Sequence, residues 1–327
     1  MPLASVWEMG ANMASYLLAR SAEDMFWLAR YVERIENIAR ILDITETFAR
    51  DRQGRNWLSV VQINADERAF FAKHDIADAS TVADFYLLDA DNPTSVQSAI
   101  LAAHRNARSL RPIISIEMWA QINVMTHVLR QLTTSDISLP SLSKVCRRIR
   151  EYCHVHAGIV EGSLSKDEAW YFFEIGRQIE RADQTTRLLD IKYHLLLPSV
   201  DAVGSALDAS QWNALLRAAN GYQAFRRVYQ GRLSPAAVAG FLLFSDSFPR
   251  SLTHCVRKIA YMLTQLRSRY RLSGGTAAED KLDEMRAVLS DITIDFIIEN
   301  GLHEFLDWLQ TLLGALSADL RDGFFPD

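Results

Sequence analysis

Cysteine is scarce in this chain. Three residues in 327, Cys146, Cys153 and Cys255, are too few for a disulfide framework and fit a reducing cytoplasm. Cys146 and Cys153 would stand two helical turns apart, about 10 Å, which is beyond the span of a disulfide. All three read as small buried hydrophobes. No apolar run approaches the ~20 residues of a membrane-spanning helix. The opening stretch MPLASVWEMGANMASYLLAR lacks a basic segment and carries Glu8, unlike a secretory leader. Residues 1–15 read as a disordered extension.

A strong basic balance is lacking too. Lys and Arg number 35 against 40 Asp and Glu, for a formal net charge of −5, which argues against a nucleic-acid partner. Local runs such as Arg147-Arg148-Ile149-Arg150 and Arg226-Arg227 read as solvated helix faces. There is no Gly-x-x-x-x-Gly-Lys-Ser/Thr or Gly-x-Gly-x-x-Gly phosphate loop, and Gly274-Gly275 reads as a lone pair in a surface loop. No Gly-x-Ser-x-Gly elbow and no cysteine in an activating context point to nucleophilic catalysis. A di-metal bundle needs two Glu-x-x-His motifs. The chain has one, Glu151 with His154 in EYCHVH, so neither His156 nor Cys153 completes a convincing set. No metal and no organic cofactor are expected.

What is present is a repeat. SAEDMFWLARYVERIENIARILDI (21–44) returns in degenerate form as EAWYFFEIGRQIERADQTTRLLDI (168–191). Aligning Glu33 with Glu180 gives an offset of 147 without a gap. Arg30 then matches Arg177, Arg34 matches Arg181, Arg40 matches Arg187 and Asp43 matches Asp190. Coincidence at charged positions reads as an internal duplication. In each copy an apolar stripe (Leu28, Val32, Ile35, Ala39, Leu42; then Ile175, Ile179, Ala182, Thr186, Leu189) recurs at helical spacing. Beside it runs a charged stripe: Arg30, Glu33, Asn37, Arg40, then Arg177, Glu180, Gln184, Arg187. Gly176, the one glycine in either helix, would allow close backbone approach.

The rest of the chain reads as helix. Ser21 is the expected cap of the first long helix, and Asp51 to Gly54 breaks it. Short helices are expected within 56–73 and over 81–88 after Ser80. Longer ones follow Ser95, run over 116–133, and start at Pro140. The second long helix spans about 166–197. Further helices are expected over 210–229, after Ser234-Pro235, from Phe248-Pro249-Arg250-Ser251 to about Arg271, near 277–298 and near 302–320. No alternating strand pattern occurs. The fold class is all-α, a multi-helix bundle of about eight to ten helices. It forms one domain over 16–327, with pseudo-repeats near 16–165 and 166–327.

The segments SAEDMFWLARYVERIENIARILD, ARSLRPIISIEMW, GRQIERADQTTRLLD and FLLFSDSFPRS together resemble the alpha-E family of all-helical bacterial proteins, from about Leu17 onward. That resemblance implies a setting beside circularly permuted ATP-grasp proteins, often with a transglutaminase-like peptidase. Its partners would therefore include an ATP-grasp-type ligase, and its role would lie in an amide- or peptide-forming system.

If the two long helices cross, their Glu-Arg pairs meet. Glu33 and Glu180 are then candidates for acid and base. Arg30, Arg34, Asn37, Arg177, Arg181 and Asp183 are candidates for substrate binding, since arginine grips carboxylate or phosphate bidentately. The same residues would equally make a salt-bridge network that fixes helix register. His104, Arg105, Arg108 and Arg111, followed by Glu117, form a second basic patch, either anion-binding or solvated. Arg250, with Pro249 in the first turn of a helix, could reach the charged centre. The aromatic end Gly323-Phe324-Phe325-Pro326 is a candidate exposed docking patch. Three readings follow: a partner- or substrate-binding subunit, an enzyme in its own right, or a scaffold.

Overall fold

Aligned apolar faces on consecutive helices can bury themselves only against one another, and the chain satisfies this with helices alone. A computed structural model describes residues 17–51, 57–196, 206–230 and 233–325, and among them it contains fifteen helices and no strand. Residues 1–15 lie outside the described residues. The first half comprises α1 (Ala19–Asp51), α2 (Leu58–Ile63), α3 (Glu67–Phe71), α4 (Ala79–Leu87), α5 (Val96–Ser109), α6 (Ile116–Arg130) and α7 (Leu139–Ser163). The second comprises α8 (Glu168–Leu196), α9 (Ala206–Ala218), α10 (Tyr222–Val228), α11 (Pro235–Phe244), α12 (Leu252–Tyr270), α13 (Thr276–Asp291), α14 (Ile294–Asn300) and α15 (Leu302–Phe324).

The helix count exceeds the expected eight to ten, in part because single breaks split three segments. Asn220 at φ 56 separates α9 from α10. Thr293 accepts from the Phe296 amide and starts α14 two residues after α13 ends. Within 56–73 the chain turns at Ala65, φ 55, between α2 and α3. Caps also moved. Asp78, not Ser80, caps α4, accepting from the amides of Ser80 and Thr81 while Thr81 Oγ1 accepts from the Asp78 amide. Ser21 sits inside the first turn of α1 and caps nothing. Pro249 precedes α12, whose cap is Ser251.

The two long helices α1 and α8 pack against each other through the centre of the molecule. Around α1 lie α5 and α7, with α6 against both of these; around α8 lie α12 and α15, with α13 against both. Each long helix therefore heads a four-helix group, and the two groups meet along their central members. That correspondence of packing agrees with the sequence repeat without establishing how it arose. Because neighbours surround it, α1 is buried on almost every side: Met25, Leu28, Ile35, Ile38, Ile41, Leu42 and Phe48 are inaccessible, and so are Glu33, Glu36, Asn37, Arg40 and Glu46.

Gly176 sets the spacing of the pair. A Cβ there would overlap the carbonyl oxygen of Phe26 and lie 3.2 Å from its Cα. Backbone meets backbone at this point, as the lone glycine suggested. The C-terminal aromatic residues are not an exposed patch: Phe324 packs edge-on to Phe172 at 5.4 Å, and Phe325 lies 5.7 Å from Phe26. They close the end of the α1/α8 seam. Gly275, with φ 88 beneath the Phe324 ring, is buried rather than in a surface loop. All three cysteines are free and buried.

Candidate functional site

The charged stripes of α1 and α8 face each other. Arg34 reaches across to Glu180, with Nε to Oε1 at 2.7 Å and Nη2 to Oε2 at 3.0 Å. Arg181 reaches back to Glu33, with Nε to Oε1 at 3.0 Å and Nη2 to Oε2 at 2.9 Å. Each Glu-Arg dipeptide thus gives its glutamate to the other helix's arginine and its arginine to the other helix's glutamate. Both contacts are side-on, two-bond pairs, the strongest geometry arginine offers a carboxylate.

A second cation supports each glutamate, and here the symmetry breaks. Glu180 accepts from Arg30 Nε at 2.9 Å. The equivalent residue, Arg177, does not reach Glu33; it pairs with Glu174 on its own helix at 2.6 Å. Arg250, arriving from the turn before α12, takes that place, giving Nη1 to Glu33 at 2.8 Å and Nη2 to Glu36 at 2.7 Å. Its backbone is held by Thr185 of α8, whose hydroxyl donates to the Arg250 carbonyl at 2.9 Å. Phe248 stacks on Phe241 at 4.7 Å and Ser251 caps α12, so the FPRS segment is an arm that delivers Arg250.

Glu36 extends the network and was not singled out by sequence. It accepts from Arg40 on the next turn and from His154 of α7 at 3.2 Å, while Arg40 also donates to the Ala218 carbonyl. The Glu36/Arg40 spacing of four residues was the available signal. His154 therefore serves Glu36, and Glu151 is exposed, so the lone Glu-x-x-His does not act as a unit. Asp183 pairs with Arg187 at 2.7 Å, and Arg187 donates onward to the Ile63 carbonyl. Asn37 accepts weakly from Arg250 at 3.4 Å, and its Nδ2 has no hydrogen-bond partner; the same is true of Gln184 Oε1 at the aligned position of α8. Arg105 and Arg108 are exposed on α5 and take no part in the cluster; α5 meets α1 instead through Asn106 and Ser109, both bonded to Asp24.

Electrostatics follow from this packing. Burial alone would raise the Glu180 pKa; Arg34 and Arg30 outweigh it and pull it down to about 2. Glu33 is lowered in the same way, with Arg181 and Arg250 overcoming burial. Burial, Arg250 and Arg40 act on Glu36 with the same net direction, well below the usual carboxylate range. An acid must hold a proton and a base must be free to take one. Glu33 and Glu180 are held ionised, with both oxygens of each occupied by guanidinium groups, so the geometry suits anchoring rather than acid–base work. The arginines differ: Glu180 is 1% exposed, whereas the Arg34 side chain is 18% and the Arg30 side chain 13% exposed. Trp27 lies 4.8 Å beneath the Arg30 guanidinium and steadies it.

An all-helical protein whose two central helices are clasped by reciprocal Glu-Arg pairs is the class this fold and site define. The family model described as Alpha-E, "a predicted alpha-helical domain with a conserved ER motif", matches residues 17–325. The chain belongs to the Alpha-E family. Of its three Glu-Arg dipeptides, Glu33-Arg34 and Glu180-Arg181 form the clasp and Glu67-Arg68 lies on short α3. The chain is also similar to uncharacterised proteins of two mycobacteria. One from Mycobacterium bovis is 26% identical over 334 residues, covering 96% of this chain and 37% of the relative. One from Mycobacterium tuberculosis is 25% identical over the same shares. This chain thus spans little more than a third of the length of these relatives. No solved structure matches. Among the described residues, no helix is long and apolar enough to cross a membrane.

Proposed function

We propose that this chain is a helical subunit, without a nucleotide site of its own, of an ATP-grasp-dependent amide- or peptide-forming system. On this reading the arginine side of the clasp receives a carboxylate of the substrate or of the partner protein. The observation that carries it is a surplus of charge: Arg30, Arg34, Arg40, Arg181 and Arg250 converge on only Glu33, Glu36 and Glu180. A network that merely fixed register would balance, because unneutralised guanidinium near a protein centre is costly. The partly exposed Arg30, Arg34, Arg181 and Arg250 have donors left for an incoming anion. The unpartnered amide atoms of Asn37 and Gln184 lie on the same stripes and would serve a carboxylate–amine ligand of both hydrogen-bonding characters. Glu33 and Glu180 position the arginines and do not react. The additional length of the mycobacterial relatives is consistent with a module that works beside others.

The test is co-purification with the ATP-grasp protein of the same host, with ATP turnover measured for each alone and for the mixture. A stable complex whose turnover falls on Arg250→Met, with little change for free ligase, supports carboxylate binding at the clasp. A complex indifferent to Arg250→Met and Arg30→Met leaves a scaffold and overturns the site. No complex and no effect on turnover would overturn the partnership itself.

A further inference from the structure

A second polar cluster lies away from the clasp, toward the far end of α8. His303 and Asp307 are four residues apart on α15 and so share one face. Asp190, buried on α8, meets them from the opposite helix. His303 Nδ1 is 2.8 Å from Asp190 Oδ1, and Nε2 is 3.5 Å from Asp307 Oδ2. One ligand atom from each of the three residues can be chosen so that all lie within 4.8 Å of one another.

The matching place in the first half shows what is unusual here. Asp190 aligns with Asp43, which pairs at 2.7 Å with Arg150 of α7, the helix whose packing on α1 corresponds to that of α15 on α8. There a guanidinium, which cannot ligate a metal, satisfies one carboxylate. In the second half an imidazole stands beside the aligned carboxylate, and Asp307 adds a second carboxylate one turn on. One imidazole with two carboxylates is a ligand set for a divalent first-row cation, whose charge the two carboxylates neutralise.

We infer that His303, Asp307 and Asp190 form a binding site for a divalent cation of the Zn2+ or Co2+ kind, joining α15 to α8. Around an ion with tetrahedral bonds of about 2.0–2.2 Å, ligand atoms stand ~3.4 Å apart. The three atoms, all within 4.8 Å of one another, close on the ion by drawing together by roughly an ångström. Asp307, with 58% of its side chain exposed, is free to make that movement. An imidazole gives one nitrogen to one ion, so the direct contact of His303 with Asp190 opens as the ion enters between them, and the exposed side leaves positions for water. The inference is independent of the clasp and of the partnership proposed above.

Binding is measured on the full chain after chelator treatment, by calorimetric titration with Zn2+ and by the visible absorption of added Co2+. One equivalent is expected, with Tm rising as Zn2+ is added. Asp307→Asn and His303→Gln should each weaken binding at least tenfold, while His127→Gln, on the exposed part of α6, should not. Asp307 is exposed enough that its replacement should leave the metal-free Tm unchanged, so lost binding cannot be lost folding. No binding of either ion, or binding unaltered by Asp307→Asn and His303→Gln, would overturn the site and leave a histidine bridging two carboxylates.

Discussion

Replacing Glu180 with Gln removes one negative charge from the middle of the α1/α8 seam and leaves the shape nearly unchanged. Two routes give the cost. Holding the carboxyl at about 2 against an ordinary 4.5 is worth about 3 kcal/mol of folding stability at neutral pH. Breaking one side of a buried ion pair costs roughly 3–5 kcal/mol in general. The two agree, and no discount for solvent applies because the side chain is 1% exposed. The pH dependence distinguishes this account from a packing defect. A carboxylate with a lowered folded pKa contributes its stability above about pH 4.5 and loses it as pH falls toward about 2. Wild type should therefore lose roughly 1 kcal/mol of this contribution by about pH 3.5, and Glu180→Gln should not. Glu33 is lowered by Arg181 and Arg250 in both proteins, so its contribution cancels in the difference. Urea unfolding at pH 7 and pH 3.5 provides the four values needed. The gap should be about 3 kcal/mol at pH 7 and narrow by about 1 kcal/mol at pH 3.5. A gap below about 1 kcal/mol at pH 7, or one that does not narrow, would refute the ionic account of the clasp.

Gly176→Ala should lower stability by about 1–3 kcal/mol, read as a fall in Tm, because its Cβ would push the α1 and α8 backbones apart; an unchanged Tm would mean that the helices do not approach there. Burial and the nearby Arg177 lower His156 to about 4 from 6.5, so its contribution is complete above pH 6.5 and fades as pH falls toward 4. Stability measured at pH 7.5 and pH 5 should converge in His156→Phe relative to wild type, and an identical pH dependence would show that His156 is accessible. His303 acts in the opposite sense: burial notwithstanding, its bond to Asp190 raises its pKa, giving stability that is present below 6.5 and lost as pH rises through the folded value. His303→Gln identifies that share in the same measurements.

Much of this was legible in the chain because the repeat is carried by charges. Identical Glu-Arg pairs at an offset of 147 announced two equivalent helices, and equivalence predicts that each supplies what the other accepts. The all-helical class and the close approach at Gly176 followed from periodicity and from one anomalous residue. Helix count was harder, since the breaks at Asn220 and Thr293 fall inside segments that read as continuous helix. The spacing of Glu36 and Arg40 is a local signal, but the pairing of Glu36 with Arg250 spans 214 residues, and no local spacing shows it. The covering of the aromatic end is hidden for the same reason: whether Phe324 and Phe325 are covered depends on Phe172 and Phe26, which are remote in the chain.

The departures from symmetry say most about where specificity lies. A two-fold clasp would be complete with Arg30 on Glu180 and Arg177 on Glu33, yet Arg177 is turned to Glu174 and an arm before α12 supplies Arg250 instead. An arginine on a long helix is fixed by its neighbours, whereas Arg250 sits on a turn held by one hydroxyl bond from Thr185 and by the Phe248 stack. It touches Glu33 and Glu36 together, so moving it changes the charge balance of both at once. The far end of the same helix departs in a parallel way, with His303 standing where the first half uses Arg150. In both places the second half departs from the pairing that the first half uses, and on the readings proposed above these are contacts that a ligand would alter. Ligand-dependent behaviour should therefore concentrate in α1, α8, α12 and α15, with α5 and α7 as the frame against which they are held. Hydrogen exchange with and without partner protein or cation would locate the protected amides. Protection confined to α5 and α7 would contradict this division.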